Sequence, residues 1–264
     1  MNKHTEISEA EFLKNYDASK FDRPSFSTDI LIFSISNEET ENYRKLDKKH
    51  FSILLVKRDE HPFLGQWSLP GGFVKLNESL EDAVSRVLLR ETNLKDIYTE
   101  QLYTFGNVDR DPRTRVITSA YMALMDKTQL KTPLNPNAEW FNVEINEDSK
   151  KFSCKLSNGR DKIEFSVDKS SEKILKNSGL AFDHPLFIVR GLLRLRNKIE
   201  YTDVAFNVLP ELFSLTELQH VYETILGKTL LAPAFRRIIQ KKVEKTKHMR
   251  QGAGHRPAVL FRKK

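Results

Sequence analysis

Hydrophobic and polar positions change rhythm along this chain. Asp29–Ser34 (DILIFS) and Phe51–Val56 (FSILLV) are short, β-branched apolar runs bounded by polar residues, which predicts buried strands. The charged stretch SNEETENYRKLDKKH between them reads as a loop. Gly71-Gly72 is expected to break the next strand, with a helix following. Leu80, Val84, Val87, Leu88 and Glu91 recur there at helical spacing; Asn77 and Ser79 compete for the N-cap, and Ser79 with Asp82 fits a capping box. Tyr103–Phe105 and Val116–Met125 predict further strands. Phe152, Cys154 and Leu156, then Ile163, Phe165 and Val167, alternate with polar residues around Ser157-Asn158-Gly159-Arg160. That is a hairpin pattern, with Asn-Gly expected to supply the positive φ angles of a tight turn. The polar segment Asp168–Gly179 closes this first, strand-rich part.

Beyond it the period is helical. Asp183 is placed to cap a helix carrying Pro185 in its first turn, with Leu186, Val189, Leu192 and Leu193 on its apolar face. Ser214 and Glu217 form a second capping box, Leu218, Val221, Tyr222 and Ile225 give the buried face, and Gly227 is the stop. Pro233 opens a third helix, with Phe235, Ile238, Ile239 and Val243 on one side. Arg237, Gln240 and Lys241 lie on the other, with Arg236 beside them. Gln251–Gly254 reads as a turn and Ala258–Phe261 as a short strand. At roughly 100–200 residues per domain, a chain of 264 residues divides into two, at 1–178 and 179–264.

Charge sharpens that division. From Gly179 onward there are 16 Lys and Arg against 7 Asp and Glu, a balance of +9, whereas the first 178 residues carry −2 of the total +7. Such asymmetry points to a polyanionic partner, or else to a solvated basic tail. One cysteine, Cys154, excludes an internal disulfide and a cysteine-rich zinc site. The start, MNKHTEISEAEFLKNYD, lacks the apolar core of a signal peptide. No run approaches ~18 apolar residues. A cytoplasmic protein is expected.

The segment GGFVKLNESLEDAVSRVLLRETNL (Gly71–Leu94) resembles the Nudix box, G-x5-E-x7-R-E-U-x-E-E-x-G-U, where U is a bulky aliphatic residue. Gly72, Glu78, Arg86, Leu88, Glu91 and Leu94 fall in register, but Val87, Arg90 and Asn93 stand where the pattern has Glu, Glu and Gly. Positions 87, 90 and 91 share one helix face. In the family they hold Mg²⁺ or Mn²⁺, hard cations that need oxygen ligands. Here formal charge at that patch falls from −3 to about zero. The resemblance thus implies a box without catalytic residues, Gly72, Glu78, Arg86 and Glu91 being remnants. No metal is expected, Glu91 being the one remaining ligand if any, and Mg²⁺ or Mn²⁺ would be required only if hydrolysis survives. HPFLGQWSLPGGFV (His61–Val74) resembles the strand and glycine turn before the Nudix helix. GNVDRDPRTRVITSAYMAL (Gly106–Leu124) resembles the strand pair of members that handle ADP-ribose-like ligands. Arginine matches phosphate in bidentate geometry, so Arg90, Arg110, Arg113 and Arg115 are candidate ligand-binding residues. Surface ion pairs of these arginines with Asp109 and Asp111 are the alternative reading.

Two capped helices followed by a basic turn and strand fit a winged helix-turn-helix, whose second helix enters the major groove. Arg236, Arg237, Gln240, Lys241, Lys247, Arg250 and Arg256 are the candidate DNA contacts, and Lys245 and His255 flank the same turn. GLAFDH (Gly179–His184), KIEYTDVAFNVLPELFSLTELQHVYETILGKTL, FRRIIQKKV and GHRPAVLFR resemble the C-terminal domain of Nudix-related transcriptional regulators of the NrtR type and their sugar-responsive relatives. The match runs from about Phe26 to Arg262, departing from the family pattern at Pro233-Ala234. It implies an α+β chain, a Nudix α/β/α sandwich followed by a winged helix. It also implies a homodimer that binds a palindromic operator in double-stranded DNA and responds to ADP-ribose, a related metabolite or a sugar. The alternative is an active ADP-ribose diphosphatase with an auxiliary C-terminal domain.

Overall fold

A computed structural model describes residues 7–37, 49–95, 97–130, 133–250 and 257–264. The short helix α1 (Glu9–Asn15) precedes strands β1 (Ser25–Asn37), β2 (Lys49–Lys57), β3 (Trp67–Ser68) and β4 (Gly71–Phe73). Helix α2 (Leu80–Thr92) follows, then β5 (Tyr98–Phe105), β6 (Val116–Leu124) and a run of antiparallel strands. These are β7 (Ala138–Glu147), β8 (Lys151–Ser157), β9 (Lys162–Asp168) and β10 (Ile174–Asn177). The chain ends in α3 (His184–Ile199), α4 (Leu215–Leu226), α5 (Ala232–Ile239), β11 (Val243–Arg250) and β12 (Ala258–Lys263).

One mixed sheet, ordered β10-β9-β8-β7-β2-β1-β6-β5, organises the first part. Its β1–β6 pair is parallel; the other pairs along that path are antiparallel. Side chains alternate across a strand, so β1 feeds two cores. Ile30 and Ile32 join Val84, Val87 and Leu88 of α2 on one face. Leu31, Phe33 and Ile35 join Phe187, Ile188 and Leu192 of α3 on the other. The result is the expected α/β/α sandwich. The α3-side cluster continues without a break into Leu218 and Val221 of α4 and Phe235 of α5. Sheet, linking helix and C-terminal helices are therefore packed as one body. Among the described residues no helix is long and apolar enough to cross a membrane.

Several local expectations hold. Ser79–Asp82 and Ser214–Glu217 are both reciprocal capping boxes, and Gly227 ends α4 in the left-handed region. Others are corrected. Gly71 and Gly72 do not break a strand; they form β4, paired with Thr28 and Asp29 of β1. A side chain on Gly71 would begin 2.3 Å from Asp29 Oδ1 and 2.8 Å from the Thr28 carbonyl, so the close crossing itself requires glycine. Of the expected strand pair in Gly106–Leu124, only β6 is a strand; the segment before it is a loop. In the β8–β9 hairpin only Gly159 has positive φ, and the Asn158 side chain accepts from the Arg160 and Asp161 amides to close a longer loop.

Asp183 occupies the N-cap position of α3 but makes no capping hydrogen bond there, because its carboxylate is engaged elsewhere. Leu186 and Leu193 are only half-buried, while Phe187, Ile188 and Leu195 lie in the core. Helix α5 ends at Ile239, earlier than the apolar spacing suggests. Ile238 is exposed, and Val243 is buried as the first residue of β11 rather than as part of the helix. The predicted loop between β1 and β2 and the predicted turn at Gln251–Gly254 lie largely or wholly outside the described residues.

Candidate functional site

The fork between β1 and β2 builds a cleft. These strands pair only from Phe33 onward in β1 and up to Ile53 in β2. Beyond that point they part, β4 taking up Ser27–Asp29 of β1 and β3 taking up Val56 and Lys57 of β2. The opening is a cleft of about 470 Å³, a size suited to a nucleotide-like ligand.

Its floor is a buried network of charge. The Asp29 carboxylate accepts a hydrogen bond from Thr118 Oγ1 at 2.8 Å and lies 3.8 Å from Arg110 and 3.7 Å from His184 Nε2. Burial pushes the Asp29 carboxyl up to about 6, against the pull of Arg110 and Thr118. His184 Nδ1 accepts from the Leu69 amide at 3.0 Å, so its proton belongs on Nε2, facing Asp29. Burial, with Arg110 and Arg58 nearby, pushes His184 down to about 3, and the imidazole is neutral. Arg110 is not a surface residue: its side chain is 4% exposed and forms a bidentate pair with Asp183, at 3.1 and 2.9 Å.

The rim is cationic and aromatic. Arg113 is held by both oxygens of Asp111 and lies over the rings of Phe73 and Phe182, at 5.3 and 5.8 Å. Hydrogen bonds from Arg113 keep the Asp111 carboxyl below its usual range although burial acts against them. Arg58 stacks on Phe182 at 5.0 Å and donates to the Pro62 carbonyl. Burial and the like charge of Arg113 lower its pKa, so two guanidiniums share one cleft mouth. Phe182 holds a positive φ of 53°, a strained conformation for a non-glycine residue.

Arg90, Arg110 and Arg113 line the cleft, and Arg113 also makes the ion pair with Asp111 that the alternative reading expected. Arg115 does not line it; it turns back to donate to the Asn107 carbonyl at 2.9 Å. Sequence reading missed Asp29, Arg58, Phe182 and His184. A charged residue opening an apolar strand was the available signal for Asp29.

The box remnants have become structural. Arg86 makes two hydrogen bonds to Glu78, at 3.0 and 2.5 Å, and one to the Phe73 carbonyl. Those bonds hold the Glu78 carboxyl down to about 2 and clasp the loop to α2. Val87 is fully buried among apolar residues. Arg90 donates to Glu91 Oε1 at 2.5 Å and to the Gly71 carbonyl at 3.0 Å. Glu91 Oε2 is buried without a hydrogen-bond partner. One orphaned oxygen is the single feature here that suits a cation. It is flanked by a guanidinium, and among the described residues no group of three or more His, Cys, Asp and Glu has metal-ligand spacing. The donor set does not fit the paired metals of the family.

A second surface lies at the C-terminus. Arg236, Arg237, Gln240 and Lys241 are exposed, Gln240 as the C-cap of α5 and Lys241 in the turn after it. Arg236, Arg237 and Gln240 share a cleft with Lys245 of β11, and Lys247 is exposed farther along that strand. Strands β11 and β12 pair as a two-stranded wing. Arg250 is tied to α4, donating to Glu217 at 2.6 Å and to the Leu212 carbonyl at 3.3 Å. Lys242 and Lys263 both pair with Asp203. Arg256 and His255 lie outside the described residues.

Comparison with known proteins is consistent along the chain. Residues 30–154 match the NUDIX domain and residues 205–262 the NrtR DNA-binding winged helix domain. The chain is 34% identical over 260 residues to the ADPR-responsive transcriptional repressor NtrR of Acinetobacter baylyi, covering 97% of this chain and 88% of that one. A MutT/nudix family protein from Enterococcus faecalis superposes with a TM-score of 0.77 at 30% identity, covering 98% of this chain and 95% of that one. NrtR of Shewanella oneidensis, solved with a 27mer DNA, gives a TM-score of 0.66 at 30% identity, with 90% and 93% covered.

Proposed function

The chain belongs to the Nudix-related transcriptional regulators of the NrtR type, and we infer that it binds DNA through its winged helix and senses ADP-ribose or a related metabolite in the β1–β2 cleft. The observation that carries this reading is the similarity, over 97% of the chain, to a repressor named for its response to ADPR. The cleft supports it chemically. A diphosphate needs its negative charge met, and in a metal-dependent hydrolase the metals do this. Here Arg58, Arg90 and Arg113 stand around the opening and Arg110 is buried deeper in, and guanidinium forks suit phosphate oxygens directly. The rings of Phe73 and Phe182 offer flat apolar surface beside them.

The protein functions in the cytoplasm as a homodimer on a palindromic operator, with 1–178 as sensor and 179–264 as reader. Arg236, Arg237, Gln240 and Lys241 form the groove-facing set, with Lys247 on the wing and Arg256 as a further DNA contact. Arg250 acts by holding the wing to α4. No metal or other cofactor is required. Ligand occupancy alters DNA affinity only insofar as the two DNA-binding arrangements hold the ligand differently.

Isothermal titration of the purified protein with ADP-ribose in EDTA tests this reading. Saturable binding without metal, and recovery of intact ADP-ribose afterwards, are expected. Binding that requires Mn²⁺ and releases AMP would favour the diphosphatase instead.

A further inference from the structure

Three consecutive residues at the junction between sensor and reader converge on the cleft. Phe182 lines its mouth, Asp183 binds Arg110, and His184 lies on the floor between Leu69 and Asp29. The preceding residues are stitched to the cleft wall: the Trp67 amide donates to the Gly179 carbonyl at 3.0 Å, and the Ala181 amide donates to the Trp67 carbonyl at 2.8 Å. The helix that starts here, α3, spans 16 residues, about 24 Å at 1.5 Å per residue. Its middle is pressed to the sheet at Gly191, where a side chain would begin 2.9 Å from Leu31 and 3.3 Å from Phe33. Its far end holds α4, with Arg196 Nε donating to the Ile225 carbonyl at 3.2 Å. One rigid element therefore joins the cleft floor to α4, held close at its centre.

We propose that the Arg110–Asp183 pair is the switch between sensor and reader: an anionic ligand in the cleft competes with Asp183 for Arg110, frees the first turn of α3, and tilts that helix against α4. This rests on the reading of the cleft as an ADP-ribose-type site. Arg110 is the deep cation of the cleft, and its Nε and Nη2 are both committed to Asp183. A phosphate that takes those donors leaves the Asp183 carboxylate near Asp29 without its counter-ion. Like charges in a buried site repel strongly, so Asp183 moves outward and carries the helix start with it. The strained backbone of Phe182, immediately before, is a hinge whose relaxation favours that movement. Linkage then works in both directions: whatever breaks the pair favours the ligand-bound arrangement.

Asp183→Asn tests this in the full-length protein. The variant keeps the side-chain shape and removes the charge that competes for Arg110. DNA affinity is read by fluorescence anisotropy on a duplex selected from random sequence by the wild-type protein, with and without ADP-ribose. Without ligand, the variant is expected to bind DNA with the affinity that the wild type shows at saturating ADP-ribose. That is a change of roughly 5- to 150-fold, the usual range of coupling between two sites. It should also bind ADP-ribose more tightly than the wild type. A variant with wild-type DNA affinity and an undiminished ligand response overturns the proposal. If the wild type fails to bind ADP-ribose, the functional reading falls. The switch still stands if Asp183→Asn alone shifts DNA affinity, and falls with it otherwise. Should the variant fold poorly, hydrogen exchange on the wild type decides. ADP-ribose should accelerate amide exchange at residues 186–188 while leaving β1 and β6 unchanged, and equal protection with and without ligand contradicts the switch.

Discussion

Replacing Asp29 with Asn probes the electrostatic design of the cleft floor. In the folded chain burial raises this carboxyl from 3.8 to about 6. The folded state therefore holds a proton that the unfolded state has released, and stability falls as pH rises from about 4 to 6. At 1.36 kcal/mol per pKa unit, the loss is on the order of 3 kcal/mol by pH 7. His184, pushed from 6.5 to about 3, acts in the opposite sense: the unfolded state binds a proton that the folded state refuses, so stability rises with pH across that range. Between about pH 4 and 6 the two slopes oppose each other, and these two groups together leave the wild-type profile nearly flat. Asparagine keeps an oxygen to accept from Thr118 Oγ1 and abolishes the Asp29 slope, leaving that of His184. Urea unfolding at half-unit pH steps from 4 to 7.5 should show the stability advantage of Asp29→Asn growing by about 2–3 kcal/mol. A constant difference between variant and wild type across that range would refute the burial argument. The same neutralisation removes a negative charge from an anion site, so wild-type affinity for ADP-ribose should strengthen as pH falls through about 6.

Further tests address single elements. Arg113→Ala should weaken ADP-ribose binding about 10- to 100-fold by calorimetry, since a bidentate guanidinium–phosphate contact is among the stronger hydrogen-bonded pairs, whereas Arg115→Ala should have little effect. Arg237→Ala combined with Lys241→Ala should abolish specific DNA binding in gel shifts with unchanged circular dichroism, and the salt dependence of residual binding should be shallower. Ser214→Ala removes the α4 cap and should cost about 1 kcal/mol in denaturant unfolding; a neutral result would mean that the box contributes no stability to the reader.

Much of the fold was legible because it rests on local chemistry. The capping boxes at Ser79 and Ser214, the α4 face of Leu218, Val221, Tyr222 and Ile225, and the β8–β9 alternation are each set by neighbours within a few residues. Most of the failures share a cause: the deciding contact came from far along the chain. Asp183 looked like a helix cap until Arg110, 73 residues away, claimed it. Gly71 looked like a strand breaker because nothing local reveals that β1 passes 2.3 Å from the space its side chain would fill. Val243 continued an apolar helical spacing, yet it pairs with Lys263 in the wing. In the cleft, arginines near the box could be named, but their ranking by depth depended on the splay of β1 and β2. Arg110 went to the floor, Arg113 to the rim and Arg115 outside.

If an intact, metal-free ligand in the cleft controls DNA binding, operator affinity measured with ADP-ribose in EDTA, with the nucleotide assayed afterwards, should shift severalfold while ADP-ribose is recovered whole. An unchanged affinity, or a shift that appears only when metal is present and AMP is released, would contradict it.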